Sequence, residues 1–215
     1  MDEPTGDLIH VDNLSRRQKY RLQTSLIVPR PIAWVSTVSP DGVPNLAPFS
    51  YFNGVSSDPM LVAISIGSRN GRPKDSLANI RDTGAFCLNM VTQRHLEAMS
   101  QSSGEYDPDV DEFEITGLAM RQASEVDAPY VADAPAVHEC RLFKEVSLGD
   151  SESSMVIGEV LAIRLCPEAA ELWDRDFLDV RRWVPVGRLW GGFYSLVTDT
   201  PQLDRPKMNP AAERK

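Results

Sequence analysis

The chain has 215 residues, enough for one large domain with a substantial core, and its 42% hydrophobic and 25% charged residues are those of a globular protein rather than a disordered or fibrous one. A formal net charge of -9 without a long Lys/Arg run argues against nucleic acid as the main partner, because backbone phosphates would be repelled. No apolar run approaches the roughly 18 residues of a membrane span, and the acidic N-terminal stretch lacks the basic and apolar regions of a secretory signal, so no membrane partner and a cytoplasmic location are expected.

Residues 1–30 are polar and mixed, with "LSRRQKYRLQTSLIVPRP" read as a short helix or an arm. Pro29 and Pro31 then force an extended entry, since proline restricts both itself and the residue before it. Residues 32–39 read as a strand, with Ile32, Trp34, Ser36 and Val38 on one face and Ala33, Val35 and Thr37 on the other. "PDG" at 40–42 is a turn, residues 43–53 resume an extended path, "SSDP" at 56–59 turns again, and "MLVAISI" at 60–66 is a buried strand. Three extended segments joined by tight turns suggest an antiparallel meander or barrel.

After "GSRNGRP" the pattern becomes helical over 74–81, with Asp75 or Ser76 as the capping residue. "GAFCLNMV" at 84–91 is a strand and 92–103 a helix. Residues 104–136, rich in Gly, Asp, Glu and Pro, read as long connections. Segments 139–150 and 153–165 form a hairpin of two long strands, with Gly158 marking a bend or bulge. Residues 167–185 are helical or irregular, 191–197 supply a last strand, and the proline-rich end is an extended arm or disordered tail.

Two stretches carry chemistry. In "NLAPFSYF", Pro44 and Pro48 limit ladder formation, so the amides around Leu46, Ala47, Phe49 and Ser50 need other acceptors. A proline-kinked structural strand and a ligand edge for a flat heteroaromatic ring both fit. In "SIGSRNGRPKDS", Arg69, Arg72 and Lys74 precede the start of a helix whose free amides favour an anion, so the segment is either a solvated turn or a phosphate site. It lacks the spacing of a Walker A loop, and no Rossmann GxGxxG turn occurs. Cys87, Cys140 and Cys166 form no metal pattern and read as buried reduced thiols. His95 and His138 read as surface or structural residues, and no metal site is expected.

In order along the chain, "RPIAWVSTVSPDGVPNLAPFSYFNGVSSDPMLVAISI", "KDSLANIRDTGAFCLNMV", "VIGEV" and "GRLWGGFY" resemble the flavin reductase-like family of FMN-binding split-barrel proteins, over roughly residues 25–197. That resemblance implies a mostly β fold, a split β-barrel of Greek-key type with short flanking helices. It divides the chain into an N-terminal arm (1–24), an FMN-binding domain (25–198) and a tail (199–215). It also implies a homodimer with FMN near the subunit interface. Asn45, Leu46, Ala47, Pro48, Phe49 and Ser50 would line the isoalloxazine, with Trp34, Ser36 and Thr37 nearby and Asn89 facing it. Ser65, Arg69, Lys74, Asp75 and Ser76 would hold or organise the phosphate end, Asp75 by capping or by orienting a cation. Arg188 and Tyr194, with the adjoining glycines, would close the site. Trp190 in "RLWGG" departs from the simpler Arg-Leu-Gly-Gly run of many relatives.

The activity so implied is an NAD(P)H:flavin reductase, with hydride passing from NADH or NADPH to flavin N5 and reduced flavin or electrons passing to an oxygenase partner. Hydride transfer of this kind needs stacking and orientation more than a side-chain acid, so no catalytic residue is assigned. Two alternatives are an FMN flavoenzyme with its own small organic substrate and a nonenzymatic FMN-binding storage, sensing or electron-transfer module.

Overall fold

A computed structural model of the chain describes residues 7–69, 71–149, 153–173 and 176–204, apart from the Arg69 side chain. Helix α1 (Arg16–Leu26) starts in a capping box: the Ser15 hydroxyl accepts from the Gln18 amide, and Gln18 Oε1 accepts from the Ser15 amide at 2.9 Å. Only Thr24 of this helix is buried, and its C-terminal end is tied down by Arg30. The buried guanidinium donates to the carbonyls of Thr24 (2.8 Å) and Ile27 (2.6 Å), to Leu189 O (2.7 Å) and to Ser50 Oγ (3.3 Å).

Seven strands make the central antiparallel sheet: β1 (Ala33–Val38), β2 (Pro44–Phe49), β3 (Phe52–Ser57), β4 (Met60–Ile66), β5 (Ala85–Asn89), β6 (Ala136–Ser147) and β7 (Ser154–Leu165). Their spatial order is β2-β1-β5-β6-β7-β4-β3. Period-two alternation places Ala33, Val35, Phe86 and Leu88 on one face, where they pack with Ile64, Val156 and the helix residues Leu77 and Ile80. Trp34 and Cys87 point the other way and pack with Met99, Phe113, Tyr130 and Val137. Both faces of β1 are therefore covered, as its nearly continuous burial requires.

The expectation of a split β-barrel of Greek-key type is corrected here. The ladder begins at β2 and ends at β3, and among the described residues no ladder joins the two, so the sheet is open. The chemistry of β2 explains its outer edge. Backbone amides alternate between pointing at the partner strand and away from it, and Leu46 N points away, to Glu112. Pro44 and Pro48 share that outward phase and have no N–H, so the outer edge of β2 offers no donor to a further strand. The prolines thus fall where they leave the β1–β2 ladder intact, and the amides of Asn45, Ala47 and Phe49 turn inward to β1.

The flanking helices are α2 (Asp75–Thr83), α3 (Leu96–Gln101), α4 (Glu112–Thr116) and α5 (Pro167–Leu172). Helix α2 ends at Gly84, whose φ of 70° is the left-handed conformation favoured at a C-terminal cap. Its N-cap is Lys74, without a side-chain bond, rather than the expected Asp75 or Ser76. Asp111 caps α4 through Phe113 N at 2.8 Å, and Cys166 caps α5 through Ala169 N. The hairpin of β6 and β7 shifts register beside Leu142, which pairs with Gly158. A Cβ at Gly158 would lie 2.3 Å from Phe86 Cζ, so the glycine there makes room for the Phe86 ring.

Three smaller sheets complete the described residues: Arg30–Pro31 with Val186–Arg188 and Tyr194–Leu196, Met120–Gln122 with Pro129–Val131, and the two-residue ribbon Ser68–Arg69 with Arg72–Pro73. The 104–136 region, read from sequence as connections, thus holds α4 and a short hairpin. Trp190 lies in the turn between the last two strands, its ring 5.7 Å from Phe193. The described part of the tail, 199–204, is irregular, and 205–215 lies outside the described residues. Cys87 and Cys140 are buried, and burial pushes the Cys87 thiol up to about 12. No helix among the described residues is long and apolar enough to cross a membrane.

Candidate functional site

Where the second half of β2 meets the ribbon of Ser68–Arg69 and Arg72–Pro73 and the first turn of α2, the surface opens into a cleft of about 710 Å³. That volume lies within the range of small-molecule sites, roughly 300–1,000 Å³. Ala47, Pro48 and Phe49 form one wall. Arg72 and Lys74 also line the cleft, with Lys74 Nζ over the Phe49 ring, 5.4 Å from its centre. Because Lys74 caps α2 only with its backbone, the opening amides of that helix receive no cap from its side chain. A helix start, two cations and an apolar ring surface on one cleft form a set of groups suited to an amphiphilic anion.

A third wall, residues 102–108, and the buried Glu112 complete the cleft. Ser102 is fixed from behind by Trp34, whose indole Nε1 donates to Ser102 Oγ at 2.9 Å. Glu112 accepts from Asn45 Nδ2 at 2.9 and 3.0 Å and from Leu46 N at 2.9 Å. Burial pushes its carboxyl up, those donors pull the other way, and Asp75 across the cleft adds to the rise. Asn45 Oδ1 accepts from Ser76 Oγ at 2.7 Å, which ties β2 to the first turn of α2.

A smaller cleft of about 160 Å³ adjoins the first and shares Pro48, Phe49 and Ser103 with it. Arg188, Tyr194, Ser50 and Tyr20 are among its other walls. The Arg188 guanidinium lies 4.4 Å over the Tyr194 ring and donates to Gly191 O.

The residues singled out by sequence separate into three groups. Asn45, Ala47, Pro48, Phe49, Lys74, Asp75 and Ser76 line the large cleft, while Ser50, Arg188 and Tyr194 line the small one. Trp34, Ser36, Thr37, Leu46 and Asn89 are buried behind them. Ser36 Oγ donates to Pro129 O at 2.6 Å, and Thr37 Oγ1 donates to Asn45 Oδ1 at 3.4 Å. Asn89 Nδ2 donates to Trp34 O and Ser36 Oγ, both at 2.9 Å, and its Oδ1 accepts from Val131 N at 2.8 Å, so it joins β1, β5 and the Pro129–Val131 strand. Ser65 lines neither cleft, and its amide donates to Tyr51 O at 2.8 Å. The Arg69 side chain lies outside the described residues. Sequence reasoning did not find the 102–108 wall, Glu112 or the bracing role of Arg30. The available signal was Asp111 two residues before Phe113, an N-cap residue type at a helix start.

Comparison with known proteins gives the family of the chain. The flavin reductase like domain matches residues 25–180. An uncharacterised protein of Aquifex aeolicus is 39% identical over 176 residues, covering 81% of this chain and 88% of that one. Among solved structures, the 2-nitrobenzoate 2-nitroreductase of Pseudomonas fluorescens superposes with a TM-score of 0.85 at 34% identity, covering 96% of this chain and all (100%) of the other. Nitrilotriacetate monooxygenase component B of Bacillus cereus gives a TM-score of 0.88 at 26% identity, covering 94% and 100%. The family match over most of the chain and these full-length likenesses place the chain in the flavin reductase like family, as an FMN-dependent oxidoreductase.

Proposed function

We propose that the chain is an NAD(P)H:flavin reductase that holds FMN in the large cleft. The observation that carries the reading is one cleft that combines the apolar surface of Pro48 and Phe49 with Arg72, Lys74 and the start of α2, Lys74 Nζ standing over the Phe49 ring. Bound FMN supplies the carrier through which two electrons leave the nicotinamide. The protein's part is orientation. Phe49 and Pro48 offer a flat apolar face, and Lys74 and Arg72 offset the charge of the phosphate end. The 102–108 wall, anchored through Trp34 and Ser102, limits access of water to the opposite side. The small cleft beside Phe49, with Arg188 over Tyr194, is the place for the nicotinamide or a second reactant.

A homodimer with FMN near the subunit interface and delivery of reduced flavin to an oxygenase complete this reading. The second is supported by the likeness to a monooxygenase component B. The test is steady-state oxidation of NADH and of NADPH with free FMN as acceptor. Rapid turnover with at least one nucleotide is expected, and negligible turnover with both by FMN-saturated protein contradicts the reductase reading. The likeness to a 2-nitrobenzoate nitroreductase favours a second reading, in which the bound cofactor reduces a small organic compound directly. Nucleotide oxidation that starts only when a nitroaromatic acid is added, and not with free flavin, would select it.

A further inference from the structure

A chain of hydrogen bonds runs from the floor of the large cleft to the first turn of α2. A carboxylate only accepts, so ionised Glu112 compels Asn45 to present its Nδ2 group, and both carboxylate oxygens receive it. The Asn45 carbonyl must then face the other way, where it accepts from the Ser76 hydroxyl at 2.7 Å. Ser76 has one hydroxyl proton, and in this arrangement it is committed inward. Thr37, which donates to the same carbonyl at 3.4 Å, accepts from Asn79 Nδ2 at 3.0 Å, so the chain also reaches the second turn of α2.

We propose that Glu112 is a positioning residue whose protonation state sets the direction of this chain, and thereby decides whether Ser76 donates inward to Asn45 or outward to a phosphate in the cleft. When Glu112 carries a proton, its hydroxyl donates to the Asn45 carbonyl once the amide has turned, while Leu46 N keeps its bond to the other carboxyl oxygen. Asn45 Nδ2 then donates to Ser76 Oγ, and the Ser76 proton is released toward the cleft. No bond between heavy atoms changes, one proton is taken from solvent, and the long Thr37 contact to the Asn45 carbonyl, 3.4 Å, is given up. This rests on the reading of the large cleft as the FMN site.

The setting favours such uptake. Glu112 is 5% exposed, and burial with Asp75 opposite raises its carboxyl pKa against the donors that hold it. The other charged groups around the cleft are Arg72, Lys74, Glu105 and Asp107. Strand β2 contributes no charged side chain, and α3, packed against α4, carries only Glu97. A phosphate bound near Ser76 adds negative charge near Asp75 and Glu112, which raises the carboxyl pKa further and couples anion binding to protonation.

The test is titration of FMN and of riboflavin into the full chain, followed by flavin fluorescence across the pH range in which Glu112 ionises, for the wild type, Glu112→Gln and Ser76→Ala. The quantity read is the preference for FMN over riboflavin. Glutamine presents one acceptor and one donor at every pH, so it fixes the outward arrangement. FMN's own phosphate ionises equally for all three proteins and cancels in the comparison. The wild-type preference is expected to fall relative to Glu112→Gln by about tenfold as pH rises, the size of one hydrogen bond to a charged group. Ser76→Ala should show the low preference throughout. Matching pH profiles for wild type and Glu112→Gln, with FMN still preferred, overturn the proposal and leave the cofactor site standing. Equal binding of FMN and riboflavin by the wild type at every pH removes the phosphate site and the proposal together. Should Glu112→Gln fail to fold, Ser76→Ala decides: loss of the wild-type pH-dependent component supports the proposal, and its persistence overturns it.

Discussion

The indole of Trp34, the second residue of β1, donates to the hydroxyl of Ser102 on the wall of the large cleft at 2.9 Å, and Ser102 donates in turn to Met99 O at 2.9 Å. A core residue of the sheet thereby fixes a surface segment that has little regular structure of its own. Trp34→Phe keeps the apolar packing but removes the donor. The expected result is a loss of about 1–2 kcal/mol in stability by denaturant unfolding and a weaker affinity for FMN, since the wall is no longer held. Unchanged flavin affinity in a destabilised Trp34→Phe protein would show that the wall does not depend on this bond.

Arg30 makes four hydrogen bonds from a buried position and joins α1, Ser50 and the Leu189 turn. Lysine cannot reproduce a planar fork aimed at three separate carbonyls. Arg30→Lys is expected to cost about 2–4 kcal/mol in chemical denaturation, because carbonyls at the end of α1 lose their partner. A loss below 0.5 kcal/mol, roughly the scale of a surface substitution, would contradict the bracing role.

Arg72 and Lys74 are the cations assigned to the phosphate end. Changing both to Ala should weaken FMN by about tenfold or more while riboflavin, which lacks the phosphate, is little affected. Parallel losses for the two flavins, measured by fluorescence quenching, would separate these cations from the phosphate.

Stability should also depend on pH through two histidines. Burial holds the His95 pKa below its ordinary value against the pull of Asp133, Arg94 adds to the depression, and burial lowers His138 likewise. For a histidine depressed in the folded state, the stabilisation is complete above the unfolded value near 6.5 and is lost as pH falls through that value toward the folded one. Glu112, raised by burial, acts with the opposite sign: its contribution is present at low pH and lost as pH rises through its folded value. Glu112 therefore opposes the histidines as pH falls from neutral to about 5, and His95 is isolated by comparison: without its destabilising protonation, His95→Gln should lose less stability over that interval than the wild type, read from urea midpoints. An equal slope in the variant would exclude His95 as a source.

Gly158→Ala should be poorly tolerated, because the added methyl would meet the fully buried Phe86 ring at 2.3 Å. The expected cost is about 1–3 kcal/mol by thermal or chemical unfolding, with partial recovery in the double variant carrying Phe86→Leu.

What could be read from sequence was set by short-range pattern. The alternation in 32–39 and the apolar run of β4 are local signals, and they placed β1 and β4; the single extended segment read over 43–53 is instead parts of two strands, β2 and β3, separated at Ser50 and Tyr51, and β3 runs on through Ser57 into the stretch read as a turn. The phase of Pro44 and Pro48 depends instead on how β2 registers against β1, which their spacing alone does not reveal. The prolines were therefore read as ladder breakers, whereas they occupy the outward positions of an edge strand. The open sheet follows from the same phase. Asn45 was singled out, but its partner Glu112 is 67 residues away in a stretch that reads as a connection. The anchoring of Ser102 by Trp34 spans 68 residues and has no local signature either.

The position of the bound cofactor decides between these readings of the surface. A crystal structure of the FMN-saturated protein should show the flavin between the Phe49 wall and the 102–108 segment, with its phosphate beside Lys74 and the start of α2. Flavin density outside this cleft, or a cleft filled only by solvent at full FMN saturation, would contradict this placement.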